Sequence, residues 1–257
     1  MEYVDYSVSN RLAYITLNRP EKRNALNDKL VKELTQAFKF AEKDENAKVI
    51  VLNALGDSFC AGADLAYLKS LQSFTFEENL ADSRNLKDLF HLIYNLKKVV
   101  IAQVEGHAIA GGAGLATVCD IVFSVPEAKF GFTEVKIGFV PAIVSIFAIR
   151  KFRESWTKRL LLTGDIINSS EAKECGIVNF IKDKDAIKSE VKAFAENLIN
   201  NTSSNSLKLT KKLIAEIQQK DLNSSLEYAS ELNATARKSD DCKKGINSFL
   251  NKEKINW

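Results

Sequence analysis

The chain predicts an α/β fold with a helical C-terminal region. Three observations carry that prediction. Strand-like and helix-like segments alternate from residue 1 to about 145. Two glycine-containing turns, at 56–65 and 106–114, each follow an apolar strand and precede a helical segment. From about Pro141 onward the spacing is mostly helical. Strands alternating with helices imply right-handed crossovers in a largely parallel sheet.

The elements follow in order. Tyr3–Ser9 and Leu12–Asn18 alternate around Asn10-Arg11, a two-residue hairpin signal. Asp28–Glu42 reads as a helix, with Leu30, Leu34, Ala37, Phe38 and Ala41 on one face and Asn27 as its cap. Val49–Asn53 reads as a buried strand. Thr75-Phe76-Glu77-Glu78 forms a capping box that opens a helix running to about Leu96. Val99–Val104 and Ile121–Val125 are further strands. Helical spacing then recurs near 155–162, 169–175, 185–200, 205–219, 222–238 and 240–252. Asn200–Asn205 is polar and turn-prone, the expected linker between a core at 1–200 and a helical region at 201–257.

Composition bounds the function. A chain of 257 residues, 46% hydrophobic, can bury a full core. Its net charge of +3 is near balance, and its lysines rarely sit beside aromatics, which opposes nucleic acid as a partner. No apolar run is long enough to span a bilayer, so no membrane partner is expected. The start, Met1-Glu2-Tyr3-Val4-Asp5, is acidic and polar, unlike a secretory or transit signal. Cys60, Cys119, Cys175 and Cys242 are far apart and form no C-x-x-C pair, so they read as free thiols in a reducing, cytoplasmic compartment. With His91 and His107 the only histidines, no metal centre is expected.

The stretch Gly106–Leu115 is the most informative. Glycines between two apolar elements imply close backbone approach. At a helix N-terminus the first N–H groups lack internal acceptors and favour negative charge. Such a turn suits a phosphate or the oxyanion of a carbonyl under attack. Tight strand–helix packing without a ligand is the plainer reading. The second turn, Gly56–Leu65, repeats the pattern. Two such turns on two strands can aim two N–H groups at one oxygen, and Ala61 and Gly111 are the natural donors.

Several motifs together resemble the enoyl-CoA hydratase/isomerase family, the crotonase superfamily. They are Asn18-Arg19-Pro20 with Asn24-Ala25-Leu26, Phe59–Leu65, Gly106–Gly114 with Cys119-Asp120, Ala128–Glu134 with Gly138–Pro141, Leu161–Gly164, and Glu171-Ala172 with Gly176–Val178. The resemblance covers essentially the whole chain in order and spacing. It implies a crotonase-like spiral of ββα units at 1–200, carrying the CoA and active site. It implies a C-terminal helical region at 201–257 for trimer assembly, with trimers often paired into hexamers. It implies acyl-CoA thioester substrates, and no cofactor beyond the CoA that is part of the substrate. Ala61 and Gly111 would then form an oxyanion hole. Arg23, Ala25, Ala63 and Asp64 match positions around CoA, and Phe249 and Lys252 match positions that meet CoA from a neighbouring subunit. A helix cap is the plainer role for Asp64, and a solvated lysine for Lys252.

Departures from the family pattern shape the chemistry. Its hydratases typically hold a water between two glutamates. One falls here at Gly114, which has no carboxylate. The other matches Glu134. That residue sits in an apolar run, where desolvation raises a carboxyl pKa, although pairing with Lys129 or Lys136 is the simpler reading of the residues alone. One glutamate resembles the Δ3,Δ2-enoyl-CoA isomerases, in which a single carboxylate carries a proton between C2 and C4. Hydration of a 2-enoyl-CoA would need Glu134 alone or a carboxylate from Glu77, Glu78 or Asp82. Gly114 is expected to leave pocket volume for a branched or carboxylated acyl group such as methylglutaconyl-CoA. Ala142 stands where dienoyl isomerases and aromatic dehalogenases carry aspartate, and with Pro141 it is expected in the pocket. His107 is expected to be a core or subunit-contact residue. Cys60 reads as alkylation-sensitive and Cys119 as structural. A non-catalytic acyl-CoA-binding or RNA-binding relative is a third possibility, opposed by Glu134 and the small donor positions.

Overall fold

The computed structural model describes residues 1–257. β1 (Val4–Ser9) and β2 (Leu12–Leu17) form the predicted hairpin. Both turn residues have positive φ, 52° at Asn10 and 65° at Arg11, as a two-residue turn between twisted strands requires. α1 (Asp28–Lys43) is capped by Asn27, whose side chain accepts from the Leu30 N–H at 2.9 Å. Its inner face, Leu30, Leu34, Ala37, Phe38 and Ala41, is fully buried.

The chain then repeats one plan. β3 (Val49–Ala54) leads to the short β4 (Ser58–Cys60) and to α2 (Leu65–Leu71) and α3 (Phe76–Asn95). β5 (Val99–Val104) leads to β6 (His107–Ile109) and α4 (Gly111–Val118). β7 (Ile121–Ser124) leads to β8 (Lys129–Gly131), a 3₁₀ turn at Glu134–Ile137, α5 (Ala142–Lys151) and α6 (Glu154–Thr163). β9 (Ile166–Asn168), α7 (Ser169–Cys175), β10 (Phe180–Ile181), α8 (Ile187–Asn201), α9 (Ser204–Ile217), α10 (Leu222–Lys238) and α11 (Asp240–Leu250) complete the chain. One sheet has the order β1-β2-β3-β5-β7-β10, and a smaller one has the order β4-β6-β8-β9. Each turn therefore lays one strand in each sheet before its helices. That is the ββα spiral, and β2-β3-β5-β7-β10 and β4-β6-β8 pair in parallel.

The capping box is formed: the Thr75 N–H donates to Glu78 Oε2 at 2.7 Å, and Thr75 Oγ1 accepts from the Glu78 N–H at 3.2 Å. The small-sheet strands and β10 were not predicted, because two or three residues are too few to display an alternation. α5 was not predicted as a separate helix. α4 begins at Gly111, earlier than the predicted helical segment from Leu115. Its glycines are there for contact: a Cβ on Gly112 would lie 2.2 Å from the Cys60 carbonyl oxygen.

At 200–205 the chain makes a helix boundary. α8 ends at Asn201, and Ser203 Oγ accepts from the Ser206 N–H at 3.0 Å to start α9. α9 still packs on α3 and β5. α10 and α11 contain no buried residue, and Leu222, Leu226, Ile246, Phe249 and Leu250 are exposed there. No helix is long and apolar enough to cross a membrane.

Candidate active site

The site begins with a polar knot between two loops. Asn24 is fully buried. It accepts from the Arg19 N–H and donates to the Leu55 and Ser58 carbonyls, each at 2.8 Å. The Leu26 N–H donates to the Gly62 carbonyl at 2.6 Å, and the Asp64 N–H to the Leu26 carbonyl at 2.8 Å. Arg19 Nη1 meets Asp64 Oδ2 at 2.7 Å, with both side chains buried. Asp64 Oδ1 caps α2 by accepting from the Ala66 and Tyr67 N–H groups. The 18–26 loop thereby straps the 61–65 loop in place.

Asp64 is therefore a buried structural carboxylate. It is not a surface group free for CoA, because Arg19 and the α2 cap use its oxygens. Burial opposes its ionisation, but the Arg19 guanidinium and the Tyr67 and Ala66 N–H groups prevail and hold its carboxyl below the usual range. The native state then binds this proton more weakly than the unfolded state. The stability it contributes is present above the unfolded pKa and is lost as pH falls through the lower native one. Asp64→Asn keeps the cap and loses the charge. It is expected to cost about 2 kcal/mol at neutral pH and to flatten the acid limb of stability, measured by urea titration against pH.

The structure revises the donor pair. Ala61 and Gly111 both line the cavity, but the Ala61 N–H already donates to the Arg23 carbonyl at 3.0 Å. The Ala63 N–H has no acceptor within the chain. Gly111 is the first residue of α4, so its N–H has no helical acceptor. The two turns touch: Gly62 has φ 92°, and a Cβ on it would lie 3.0 Å from both the Ala110 Cβ and the Ile109 carbonyl oxygen. Ala63 and Gly111 each follow one of these touching residues. Ala110 has φ 50° and ψ −122°, a strained conformation for alanine. Its own N–H is held by the Gly131 carbonyl at 2.7 Å. The free donors are thus those of Ala63 and Gly111.

Ala63 and Gly111 both line a cavity of about 400 Å³. Glu134 lines it from the 3₁₀ turn, as do Pro141 and Ala142. Glu134 forms no ion pair with Lys129 or Lys136, and its Oε2 is buried without a hydrogen-bond partner. Burial raises its carboxyl pKa above the usual range. Gly114 does not line the cavity. A Cβ there would lie 2.3 Å from Val144 Cγ1 and 2.9 Å from Phe90 Cε2. The volume expected at Gly114 is filled by Val144 of α5 and Phe90 of α3, so it cannot admit a branched or carboxylated acyl group.

The remaining predicted residues lie as follows. Arg23 is exposed and contributes its carbonyl to the Ala61 N–H. Ala25 is buried, with its carbonyl held by Arg19 Nη1 at 3.1 Å. Phe249 in α11 and Lys252 beyond it are exposed and do not reach the cavity within one chain. His107 is exposed on β6, contrary to a core position. Cys60 is fully buried and burial pushes its thiol up to about 12, which opposes alkylation. Burial likewise pushes the Cys119 thiol up to about 12.

Of the carboxylates offered by the 77–82 segment, Asp82 lines the cavity and Glu77 and Glu78 do not; its partner there, Tyr67, was missed. Tyr67 donates from its hydroxyl to Asp82 Oδ1 at 2.6 Å, and both line the cavity. Helical spacing carried a signal: Asp82 falls on the stripe Leu86, Leu89, Phe90, Ile93 that faces inward.

The model of the family described as enoyl-CoA hydratase/isomerase matches residues 7–257. The chain belongs to the enoyl-CoA hydratase/isomerase family. A Thermus thermophilus relative bearing an enoyl-CoA hydratase name is 42% identical over 241 residues, covering 94% of this chain and 95% of its own. The crotonyl-CoA hydratase of Syntrophomonas wolfei is 31% identical, covering 96% of this chain and 95% of its own. An enoyl-CoA hydratase structure from Shewanella pealeana superposes with a TM-score of 0.94 at 28% identity, covering 99% of this chain and 96% of the other. As an enzyme of the enoyl-CoA hydratase/isomerase family, the chain acts on acyl-CoA, and the ββα spiral is the family's crotonase fold.

Proposed function

We propose that the chain isomerises a 3-enoyl-CoA to a 2-enoyl-CoA, with Glu134 as the single proton carrier. One observation carries this reading. The position that would supply the family's second carboxylate is Gly114, its side-chain space is occupied by Val144 and Phe90, and the other carboxylate in the cavity, Asp82, is engaged by the Tyr67 hydroxyl. In the proposed reaction Glu134 takes a proton from C2. The electron pair moves onto the thioester oxygen through a dienolate, where the Ala63 and Gly111 N–H groups receive the charge. The pair then returns through the chain, and Glu134 delivers its proton to C4. Backbone donors fixed before the reaction lower such a barrier by roughly 3–4 kcal/mol each. A carboxyl whose pKa is raised by burial is suited to both taking and returning a proton.

CoA would lie against the Arg23–Ala25 loop, with Phe249 and Lys252 contributed by a neighbouring copy. The exposed apolar residues of α10 and α11 support a trimerising role for 201–257. Hydration is the second reading, favoured by the hydratase names of the relatives. Incubation with 3-hexenoyl-CoA and with crotonyl-CoA in deuterated water, followed by mass spectrometry and NMR, separates the two. Double-bond migration without added water is expected. Hydration of crotonyl-CoA at a comparable rate would replace the isomerase reading.

A further inference from the structure

We propose that Tyr67 and Asp82 form an acceptor subsite in the acyl cavity that selects uncharged acyl groups carrying a hydroxyl and repels carboxylated ones. This rests on the enoyl-CoA reading of the same cavity. The two side chains come from α2 and α3 and are joined by the 2.6 Å hydrogen bond from Tyr67 to Asp82 Oδ1. The Tyr67 ring is braced edge-on against Phe74, with centroids 6.4 Å apart. Its position is set from below, because the Tyr67 N–H is held by the Asp64 cap.

The chemistry of the pair is one-sided. The phenol proton is committed to Asp82, and burial together with that carboxylate makes it harder to remove. What remains for a ligand is the phenol lone pairs and Asp82 Oδ2, since only Asp82 Oδ1 takes the Tyr67 hydroxyl. All of these accept and none donates. No lysine, arginine or histidine lines the cavity, while Glu134 adds a second carboxylate to it. An acyl group bearing a hydroxyl would give the pair the donor it lacks. An acyl carboxylate would meet two like charges without a counter-ion, in a cavity otherwise lined mostly by apolar side chains.

The test uses three saturated acyl-CoAs of equal chain length, which bind without reacting: hexanoyl-CoA, 6-hydroxyhexanoyl-CoA and adipoyl-CoA. Isothermal titration of the full-length protein is expected to rank them hydroxyl, methyl, carboxylate. Each step should be about tenfold, the size of one hydrogen bond to a charged group or one uncompensated repulsion. Asp82→Asn is expected to bring the carboxylate close to the methyl-ended chain, and Tyr67→Phe to weaken the preference for the hydroxyl. The two variants report separately should one fail to fold. Equal affinities for all three ligands, or ratios unmoved by both variants, would overturn the subsite. Loss of kcat with an unchanged ratio would overturn it too, placing the pair at the reacting carbons instead. Failure of the wild type to bind any of the three would overturn the acyl-CoA reading itself.

Discussion

Glu134→Gln is expected to lower kcat by about 10²–10⁴-fold while leaving acyl-CoA affinity nearly intact. The amide keeps the shape and loses the ability to take a proton. No second carboxylate stands at Gly114 to replace it. The wild-type pH profile should carry the same signature. In the proposed reaction the base form of Glu134 takes the first proton, so kcat/KM is expected to fall as pH drops through its pKa. Burial raises that pKa, so the limb lies above the ordinary glutamate range. It should vanish in the variant. Stability should move the opposite way. The native state binds this proton more tightly than the unfolded state, so stability falls as pH rises from the unfolded pKa to the native one. Above the native pKa the ionised, buried carboxylate remains a standing cost. Removing the charge is therefore expected to raise Tm at neutral pH. Turnover unchanged in Glu134→Gln would remove this residue from the chemistry.

Gly114→Glu is expected to cost more than about 4 kcal/mol by urea denaturation, through overpacking and an unpaired buried charge. The first atom added would lie 2.3 Å from Val144 Cγ1. α4 and α5 would have to part, and the carboxylate would enter a space lined by Val144 and Phe90. Gly114→Ala separates the steric part. Its gain in helix propensity is about 1 kcal/mol, against about 1–3 kcal/mol of overpacking. Val144→Gly should relieve the clash, so that Gly114→Glu with Val144→Gly is more stable than Gly114→Glu alone. The double variant holds two carboxylates near the donors and is expected to shift products from isomerisation toward hydration. A single variant as stable as wild type would refute the closed-space account.

Much of the architecture was legible because its causes are local. Caps, the hairpin turn and helical periodicity act within a few residues, so α1, α3 and the β1–β2 hairpin were placed from sequence. The three-residue strands were not, since their pairing partners lie dozens of residues away. The site divides the same way. Glu134 and Gly111, which line one cavity, and the two turns stood out because their residue types are distinctive in their setting. The second donor was misplaced by two residues, because every residue but proline carries an N–H. Whether that group is free depends on which carbonyl lies opposite. Arg23 supplies one to Ala61 and nothing in the chain supplies one to Ala63.

By itself the sequence determined the fold class and the family, and it singled out Glu134 as the candidate proton carrier, since motif order and residue chemistry are properties of the chain. The tertiary structure decided the rest. It turned Asp64 from a ligand group into a buried brace, closed the space at Gly114, and brought Tyr67 and Asp82 into one cavity with Glu134. Each of those outcomes depends on which atoms fill a shared volume, and packing at that range is set by elements far apart in the chain.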